Sequence, residues 1–406
     1  MIAPWCRDPD AGIVEVMTTT HAFAHGRLRR EDCHLDDLTS LLASRRTEAA
    51  DYPFADRVEQ EVLVYDSGRL RSLLGDPGGA ATVEIEAEIA RALADGPGIV
   101  VFEGAFDPRV IEPVSRAFEE IIADQRASGQ VAGDHFAKPG ANDRVWNALQ
   151  KLALHDPDAF VDYYANDLLA LAARAWLGPG YQVTSQVNVV NPGGEGQTVH
   201  RDYHLGFQSP QVSEQYPAHV HALSPALTLQ GAVAHVDMPI ESGPTLYLPH
   251  SQLYPHGYLA YWLEDFQEHF RAHHVQLPLA AGDAVFFNPA LFHAAGTNRS
   301  RDIARMANLL QISSAFGRAM EAVDRAAVVE SVYPALLARR DRPGVQHAVA
   351  AAAEGYAFPT NLDLDQPVGG MSPATQADLV REALDEGVEP AELRSRLEAH
   401  GRLSRP

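Results

Sequence analysis

Between Gly180 and about residue 313, the sequence consists of short β-prone runs that Gly, Pro and Ser residues separate. The clearest of these runs are YQVTSQVNVVNP, TVHRDYHLGF, ALTLQGAVAHVDMP, TLYLPHS and DAVFFNPALFHAAG. Because no helical period lies between one run and the next, the pattern favours an antiparallel sandwich or barrel over a doubly wound parallel sheet. We therefore predict an α+β fold with a double-stranded β-helix core, the jelly-roll or cupin-like architecture, and flanking helices.

Helical periodicity lies on both sides of this β-rich region. Upstream, Ile85, Ile89 and Leu93 recur at the spacing of one helix face, and a second helical run begins after Asp107, a residue suited to an N-cap. A further helical stretch is predicted over residues 157–177, up to a Gly-Pro-Gly sequence that ends it. These elements predict a mixed region of helices and strands ahead of the barrel.

The chain divides into three predicted regions. Residues 1–80 have no sustained period and are interpreted as an extension that packs on the core. Residues 81–318 form the predicted double-stranded β-helix domain. Residues 319–406 are predicted to be helical, with a terminal helix hairpin that turns at Gly387. This hairpin is also a candidate surface for a homo-oligomer, although such hairpins pack within one chain at least as often.

Charge and cysteine content exclude several classes of partner. The formal net charge is −22, which would repel nucleic acid and anionic membrane surfaces. Cys6 and Cys33 have no disulfide-framework or zinc-ribbon spacing, so a reducing cytoplasm fits the chain. No apolar run approaches the roughly 18 residues of a membrane span. We expect a cytoplasmic protein that acts on a small molecule, without nucleic-acid or membrane partners.

The sharpest local pattern is His200-Arg201-Asp202 in a predicted strand. Side chains at positions i and i+2 of a strand project from the same face, so the imidazole of His200 and the carboxylate of Asp202 converge. Such a pair can bind a divalent metal. Taken alone, the pattern is common by chance, and a surface or structural role is the alternative.

A third candidate ligand, His293, ends the apolar strand pair in AAGDAVFFNPALFHAAGTNRS. An antiparallel fold can bring this strand beside the one that carries His200 and Asp202. Two histidines and one carboxylate on one face of an octahedral metal leave three positions open, which is the arrangement of non-haem Fe(II) oxygenases. The alternative is an ordinary strand-end histidine, since the chain has 18 histidines.

Arg305 begins the next predicted strand, RMANLLQIS. A guanidinium binds a carboxylate through two parallel hydrogen bonds, so an arginine near the metal suits the distal carboxylate of a 2-oxoacid. Arg299 and Arg301 lie in the preceding polar loop and are expected to be solvated. Arg301 is the second candidate for this role.

These motifs together resemble the phytanoyl-CoA dioxygenase family of Fe(II)/2-oxoglutarate oxygenases, which also includes ectoine hydroxylase. The resemblance is carried by the H-x-D pair, the G-D-x-x-x-F approach to His293, the HAAGTNRS loop and the following Arg, and it runs from about Ile85 to Ile312. The segment HVDMPIESGPTLYLPHSQ is also similar to the family's acidic strand and Gly-Pro turn.

The resemblance implies Fe(II), the cosubstrate 2-oxoglutarate and O2 as the cofactors. It implies His200, Asp202 and His293 as the iron ligands and Arg305 as the clamp for 2-oxoglutarate, and Gln197 matches a position where the family often has a polar residue. Related halogenases have a small residue in place of Asp202. The carboxylate here therefore implies hydroxylation of an unactivated C–H bond with release of succinate and CO2.

Other residues are candidates for the substrate pocket, each with a plainer alternative. His204 shares the predicted strand face of the metal pair, or is a pocket-wall or core histidine. The loop at residues 134–149 is a candidate substrate contact through Trp146, or a capped surface loop. Strand alternation leaves open whether three further side chains face the pocket: Asn188, Tyr203 and Gln230.

Rival interpretations remain at this point. His219-Val220-His221 is a second possible metal pair if it lies in a strand, although no Glu follows it as a cupin-type site requires. A non-catalytic metal-binding jelly-roll sensor would use the same three ligands, and a metal-dependent isomerase or dioxygenase would need no 2-oxoacid. Within the family, the acidic excess favours a small polar or amphipathic metabolite over hydroxylation of an acyl-CoA.

Overall fold

The computed structural model of the chain describes residues 26–75, 78–129 and 141–405. The predicted candidates Cys6 and residues 134–140 lie outside this part of the chain. The strands are, in chain order, β1 (Arg57–Glu59), β2 (Val62–Asp66), β3 (Ile99–Glu103), β4 (Asn142–Val145), β5 (Gln182–Val190), β6 (Thr228–Ala234), β7 (Leu246–Leu248), β8 (Ala284–Phe287), β9 (Phe292–Ala294) and β10 (Arg305–Ser313).

The helices surround this strand framework. They are α1 (Leu35–Ala43), α2 (Ser67–Leu73), α3 (Ala80–Ala94), α4 (Pro108–Ala127), α5 (Ala148–His155), α6 (Pro157–Tyr164), α7 (Asp167–Leu177), α8 (Pro210–Ser213), α9 (Ala218–Leu223), α10 (Gly257–Ala260), α11 (Glu264–His273), α12 (Arg325–Ala338), α13 (Val345–Ala352), α14 (Gln376–Glu386) and α15 (Pro390–Leu403). None of these helices is both long and apolar enough to cross a bilayer.

Within the described ranges, eight strands form one large sheet in the order β1-β2-β3-β8-β6-β10-β5-β4. Strands β2 and β3 run parallel, and the other neighbours in the sheet run antiparallel. The centre of the sheet is therefore made of β8, β6, β10 and β5, which come from widely separated parts of the chain. This order is the one expected when a long β-ribbon folds over on itself.

A smaller sheet faces the large one. Strands β7 and β9 pair antiparallel, and isolated bridges extend the pair on both sides, from His293 to His200 and from Tyr247 to Val275. An apolar cluster that includes Val285, Phe287 and Tyr247 packs between the two sheets. Two facing sheets, the larger mostly antiparallel and the smaller antiparallel, are the predicted jelly roll, and the flanking helices complete the predicted α+β fold.

The opposite face of the large sheet is covered by helices. Its outward side chains, such as Phe286 and Leu310, join one buried apolar cluster with side chains from α3 to α7 and α12 to α15. The predicted helix face of Ile85, Ile89 and Leu93 is buried in this cluster. Alternation along each strand therefore sends one set of side chains to the helices and leaves the other set for the inside of the barrel.

Some predicted element boundaries were wrong. Residues 157–177 form two helices because the Asn166 side chain accepts hydrogen bonds from the backbone N–H groups of Leu168 and Leu169 and so starts a new helix. The helix predicted to begin soon after Arg318 begins at Arg325. The irregular segment before it contributes Met320 to the cavity described below.

The terminal regions join the fold closely. Strand β2, which lies in the predicted extension, pairs with β3 across the predicted boundary at residue 80. The C-terminal hairpin turns at Gly387 as predicted, in a left-handed conformation. Its apolar side chains, including Leu384 and Leu393, are buried in the main core of the same chain. The three-region division and the oligomeric role of the hairpin stay predictions.

Candidate active site

The small sheet brings His200 beside His293. Their backbones form an antiparallel bridge, with His200 N–H donating to His293 O at 3.0 Å and His293 N–H donating to His200 O at 3.2 Å. Two residues further, Asp202 N–H donates to Pro289 O at 3.0 Å. These backbone bonds fix the chain direction, so the side chains of His200, Asp202 and His293 meet at one point.

The three side chains form a compact group of potential ligands. One ligand atom from each lies within 4.8 Å of the others. His200 Nε2 is 3.8 Å from Asp202 Oδ1, and His293 Nε2 is 3.4 Å from Asp202 Oδ2. Within the described ranges, no second group of three such residues comes this close together.

Hydrogen bonds hold both imidazoles in the orientation that a metal requires. His200 Nδ1 is 2.8 Å from Thr198 O, and His293 Nδ1 is 2.9 Å from Leu291 O. A carbonyl can only accept, so each Nδ1 carries a proton, and each Nε2, the ring nitrogen nearer Asp202, is the atom left to bind a metal. The tautomers are therefore fixed by the backbone.

The electrostatics also favour the metal-binding protonation states. Burial opposes ionisation of Asp202, but His200, His293 and the amide of Gln230 outweigh it and hold the pKa of Asp202 well below its usual range. Burial, together with His293, lowers the pKa of His200. A carboxylate between two imidazoles is a donor set that suits Fe(II) and leaves coordination positions free for other ligands. The residues present thus fit an iron ion.

This group lies in a cavity of about 630 Å3 between the two sheets. On β10, Arg305, Ala307, Leu309 and Gln311 line the cavity, whereas Met306, Leu310 and Ile312 join the helix-side core. The same alternation gives β6 a lining of Gln230, Ala232 and Ala234. The small alanines leave space above the sheet, so the cavity extends from the metal group to Arg305.

Arg305, the predicted clamp residue, lies in the wall of this cavity. Its Nη1 donates to the carbonyls of Ser242 at 3.4 Å and Gly296 at 3.2 Å, and burial lowers the pKa of its guanidinium to about 10. It therefore stays cationic at neutral pH. Arg301 and Arg299 are exposed and are not among the described residues that line the cavity.

Gln197 also lines the cavity. Its Oε1 accepts a hydrogen bond from Ala295 N–H at 3.3 Å, and its own N–H donates to Ala295 O at 2.9 Å. The residue thus ties the segment that leads to His200 to the residue that follows the strand of His293.

The other predicted pocket residues divide into two groups. Asn188, Tyr203, Gln230 and Trp146 line the cavity, and Gln230 Nε2 also donates to Asp202 Oδ2. His204 is not among the described lining residues. Its prediction relied on a strand through these residues, but His200 makes only an isolated bridge, and the chain turns at Tyr203 and His204, where the φ angles are 59° and 47°. Strand alternation does not apply beyond that turn.

The rival pair His219 and His221 does not form a metal site. These residues lie in helix α9 rather than in a strand, where positions i and i+2 point in different directions. His219 is exposed, whereas His221 is buried with its Nε2 2.9 Å from Ser213 O. The two imidazoles therefore do not converge.

Several cavity residues were not predicted. Gln186 and Gln311 line the cavity and follow from the alternation that places Asn188 and Arg305, so the register of β5 and β10 would have found them. Arg144 lies beside them with its guanidinium carbon 4.8 Å from the centroid of the Trp146 ring. Met320 belongs to the irregular segment after β10, which no periodicity signals.

A jelly roll that carries two histidines, one carboxylate and a buried arginine in one cavity defines a non-haem iron oxygenase that uses a 2-oxoacid. The sequence model of the phytanoyl-CoA dioxygenase family matches residues 94–307, which is more than half of the chain. The chain belongs to this family, and the resemblance drawn from its motifs is confirmed. Among curated protein sequences, none matches the chain significantly.

Comparison with solved structures finds similar chains of low identity. The α-ketoglutarate-dependent epimerase SnoN from nogalamycin biosynthesis is 20% identical over 62% of this chain and 82% of its own, with a TM-score of 0.39. The carbocyclase SnoK from the same biosynthesis is 21% identical over 58% and 86%, with a TM-score of 0.42. AviO1 from Streptomyces viridochromogenes Tue57 is 19% identical over 58% and 96%, with a TM-score of 0.41. At TM-scores below 0.5, these likenesses do not bear on the substrate of this chain.

Proposed function

We propose that the protein hydroxylates an unactivated C–H bond of a small molecule, with 2-oxoglutarate and O2 as cosubstrates and succinate and CO2 as products. The observation that carries this proposal is the convergence of His200, Asp202 and His293 within 4.8 Å in the wall of a cavity. Arg305 lines the same cavity as a buried cation.

In this proposal His200 Nε2, Asp202 and His293 Nε2 hold Fe(II), and Arg305 holds the distal carboxylate of 2-oxoglutarate. Iron bound there supplies the redox chemistry that couples decarboxylation of 2-oxoglutarate by O2 to oxidation of a C–H bond. The carboxylate of Asp202 occupies the position that halogenases leave open for chloride, which favours hydroxylation.

The residues of the chain set the geometry of this site. The carbonyls of Thr198 and Leu291 keep both Nε2 atoms directed inward. Gln230 donates to Asp202 Oδ2 and so fixes the rotation of the carboxylate. The carbonyls of Ser242 and Gly296 orient Arg305. Because these partners are already in place, little reorganisation is needed when the cosubstrate binds.

The proposal is tested by anaerobic titration of the protein with Fe(II) and 2-oxoglutarate. A weak visible charge-transfer band of the chelate is expected for the parent protein. The band should be lost in Asp202→Ala and retained in His219→Ala, which removes an exposed histidine outside the site. A colourless mixture with the parent protein would contradict the proposal.

Turnover separates the remaining alternatives. A screen of metabolites for substrate-stimulated succinate release should find at least one active compound. A metal-binding sensor would bind Fe(II) but release no succinate with any of them. A metal-dependent isomerase or dioxygenase without a 2-oxoacid would leave Arg305→Ala nearly as active as the parent protein.

A further inference from the structure

The cavity has more room than the cosubstrate needs. Pockets of about 300 to 1,000 Å3 enclose drug-sized ligands, and this cavity of about 630 Å3 lies in that range. 2-Oxoglutarate is much smaller than such a ligand. Part of the space beyond the metal group is therefore open to a second and larger molecule.

The solvent end of this space has an apolar rim, formed by Phe207, Trp262 and Met320. All three side chains line the cavity, yet they are 54%, 43% and 38% exposed, so they lie where the cavity meets solvent. Large apolar side chains exposed beside a cavity mark a site of ligand contact. Two aromatic rings and a thioether are partners that favour another ring system.

The rim side chains are held by neighbours within the chain. The ring of Phe207 lies edge-on to Tyr203, with centroids 5.4 Å apart, and Trp262 stacks on Tyr261 at 5.0 Å. Met320 Sδ accepts hydrogen bonds from Tyr203 Oη at 3.3 Å and Gln186 Nε2 at 3.5 Å. The rim side chains are therefore held in place. A rigid ligand would lose little conformational entropy when it binds to them.

The interior of the cavity presents unused hydrogen-bond acceptors. Gln230 Oε1, Gln311 Oε1 and Asn188 Oδ1 are buried without a hydrogen-bond partner. The orientation of the Gln230 amide is fixed, since its Nε2 donates to Asp202. Ionised 2-oxoglutarate offers acceptors only and cannot satisfy these oxygens. A ligand that excludes water from these oxygens must therefore donate hydrogen bonds to them.

These features weigh against an acyl chain on coenzyme A. A hydrocarbon chain buried against the three amide oxygens would leave them without donors, which costs affinity. Coenzyme A also needs cations for its phosphates, whereas no exposed side chain that lines the described part of the cavity is cationic. The arginines that line the described part of the cavity, such as Arg144 and Arg305, are buried in it.

We propose that the substrate is a hydroxylated aromatic or fused-ring compound, which places its rings against Phe207, Trp262 and Met320 and its hydroxyl groups toward the buried amide oxygens. This inference rests on the proposed function, because it names the class of compound that the oxygenase oxidises. It extends the expectation of an amphipathic metabolite by assigning which end of the cavity meets each part of the molecule.

The test is calorimetric titration of the full-length protein with 2-naphthol and with 2-methoxynaphthalene, which cannot donate a hydrogen bond. Titrations are run anaerobically, with and without Fe(II) and 2-oxoglutarate. The parent protein should bind 2-naphthol at least about fivefold more tightly than its methyl ether. Octanoyl-coenzyme A should bind more weakly than 2-naphthol.

Variants test whether the rings bind at the rim and the hydroxyl group binds at the buried amide oxygens. Trp262→Ala and Phe207→Ala should each weaken both naphthalene probes by about tenfold, without changing the ratio between them. Gln311→Met, which keeps the length of the side chain, should lower that ratio, because it removes one of the three amide oxygens. Leu223→Ala removes a side chain that is 50% exposed outside the cavity, and it should bind both probes like the parent protein.

Equal binding of the two naphthalene probes by the parent protein, unchanged binding in the rim variants, or tighter binding of octanoyl-coenzyme A would each overturn the inference. The chelate band recorded in the same samples separates this result from failure of the proposed function. A band without 2-naphthol binding refutes the substrate class alone. Binding of 2-naphthol without a band refutes the oxygenase proposal and leaves the ligand class standing.

Discussion

The guanidinium of Arg201 occupies the space beside Gly257 that a side chain would need. A Cβ atom at position 257 would lie 1.8 Å from Arg201 Cζ, so this position admits only glycine while Arg201 keeps its place. The Nη2 atom of Arg201 donates to the carbonyl of Ser251 and, at 3.0 Å, to that of Tyr254. Arg201 stands between the two candidate ligands of the H-x-D pair, so this contact anchors their segment.

Two aromatic rings also lie against the guanidinium of Arg201. Its guanidinium carbon is 5.2 Å from the ring centroid of Tyr258 and 5.0 Å from that of Phe292. The Tyr258 hydroxyl donates to Asp202 O at 3.3 Å. Phe292 directly precedes His293 in the chain. Arg201 thus links the two segments that carry the three candidate ligands, without touching the metal group itself.

Gly257→Ala should weaken the metal site. The new methyl group must displace Arg201, which removes support from the candidate ligands, and loss of such supporting contacts costs about 10- to 100-fold in metal affinity. Anaerobic Fe(II) titration measures the effect, and circular dichroism checks that the fold persists. Gly401→Ala, in helix α15 with nothing within 4 Å of the added Cβ, should leave Fe(II) affinity unchanged. Parent-like affinity in Gly257→Ala would refute the anchoring role of Arg201.

The sequence predicted the metal group because simple rules apply to it. Alternation along a strand placed His200 and Asp202 on one face, and antiparallel pairing brought His293 to them. The same rule failed at His204, because the chain turns with positive φ angles at Tyr203 and His204. No local pattern in the sequence predicts that turn.

The contacts that hold the candidate metal ligands in place follow no comparable pattern in the sequence. Arg201 donates to two backbone carbonyls and fills the space that a side chain at Gly257 would need. No residue spacing in the sequence predicts either contact. Met320 reaches the cavity from a segment without periodicity. Strand β1 has three residues and β2 has five, which is too short to show an alternation that would have assigned them to the sheet.

Arg305→Ala should raise the KM for 2-oxoglutarate by about 10- to 100-fold, because it removes charge-assisted hydrogen bonds to a carboxylate. Arg305→Lys should recover part of this loss, since it restores the charge but not the paired donors. Arg301→Ala is the matched control and should behave like the parent protein. Succinate release at varied 2-oxoglutarate concentrations measures all three. Loss of activity in Arg301→Ala instead would transfer the clamp to that residue.

The stability of the protein should fall in mild acid through His235. Burial lowers the pKa of this imidazole to about 3, and the side chain is held between Ser115 Oγ at 2.8 Å and Tyr163 Oη at 3.2 Å. The unfolded chain, with an ordinary histidine pKa near 6.5, binds the proton first as the pH falls. Stability from His235 is therefore complete above pH 6.5 and is lost progressively between pH 6.5 and 3.

Urea unfolding at pH 7.5 and pH 5.0 measures this effect. The parent protein should lose about 2 kcal/mol more than His235→Gln over that interval, since the proton taken up by the unfolded state is worth about 1.4 kcal/mol per pH unit below 6.5. Any fixed cost of the substitution cancels in the difference between the two pH values. An equal pH dependence in the two proteins would show that His235 does not titrate in this way.

Fe(II) should stabilise the folded protein through the group of His200, Asp202 and His293. A ligand that binds only the folded state at 100 times its Kd adds about 2.7 kcal/mol to the free energy of unfolding. Anaerobic unfolding in urea, with Fe(II) and with a chelator, measures this difference. Asp202→Ala should lose the stabilisation because the carboxylate lies 3.4 Å from His293 Nε2 and 3.8 Å from His200 Nε2. His219→Ala should keep it in full, because His219 is exposed on helix α9. The reverse result, with stabilisation lost in His219→Ala and kept in Asp202→Ala, would place the metal outside the cavity and remove the basis for the proposed chemistry.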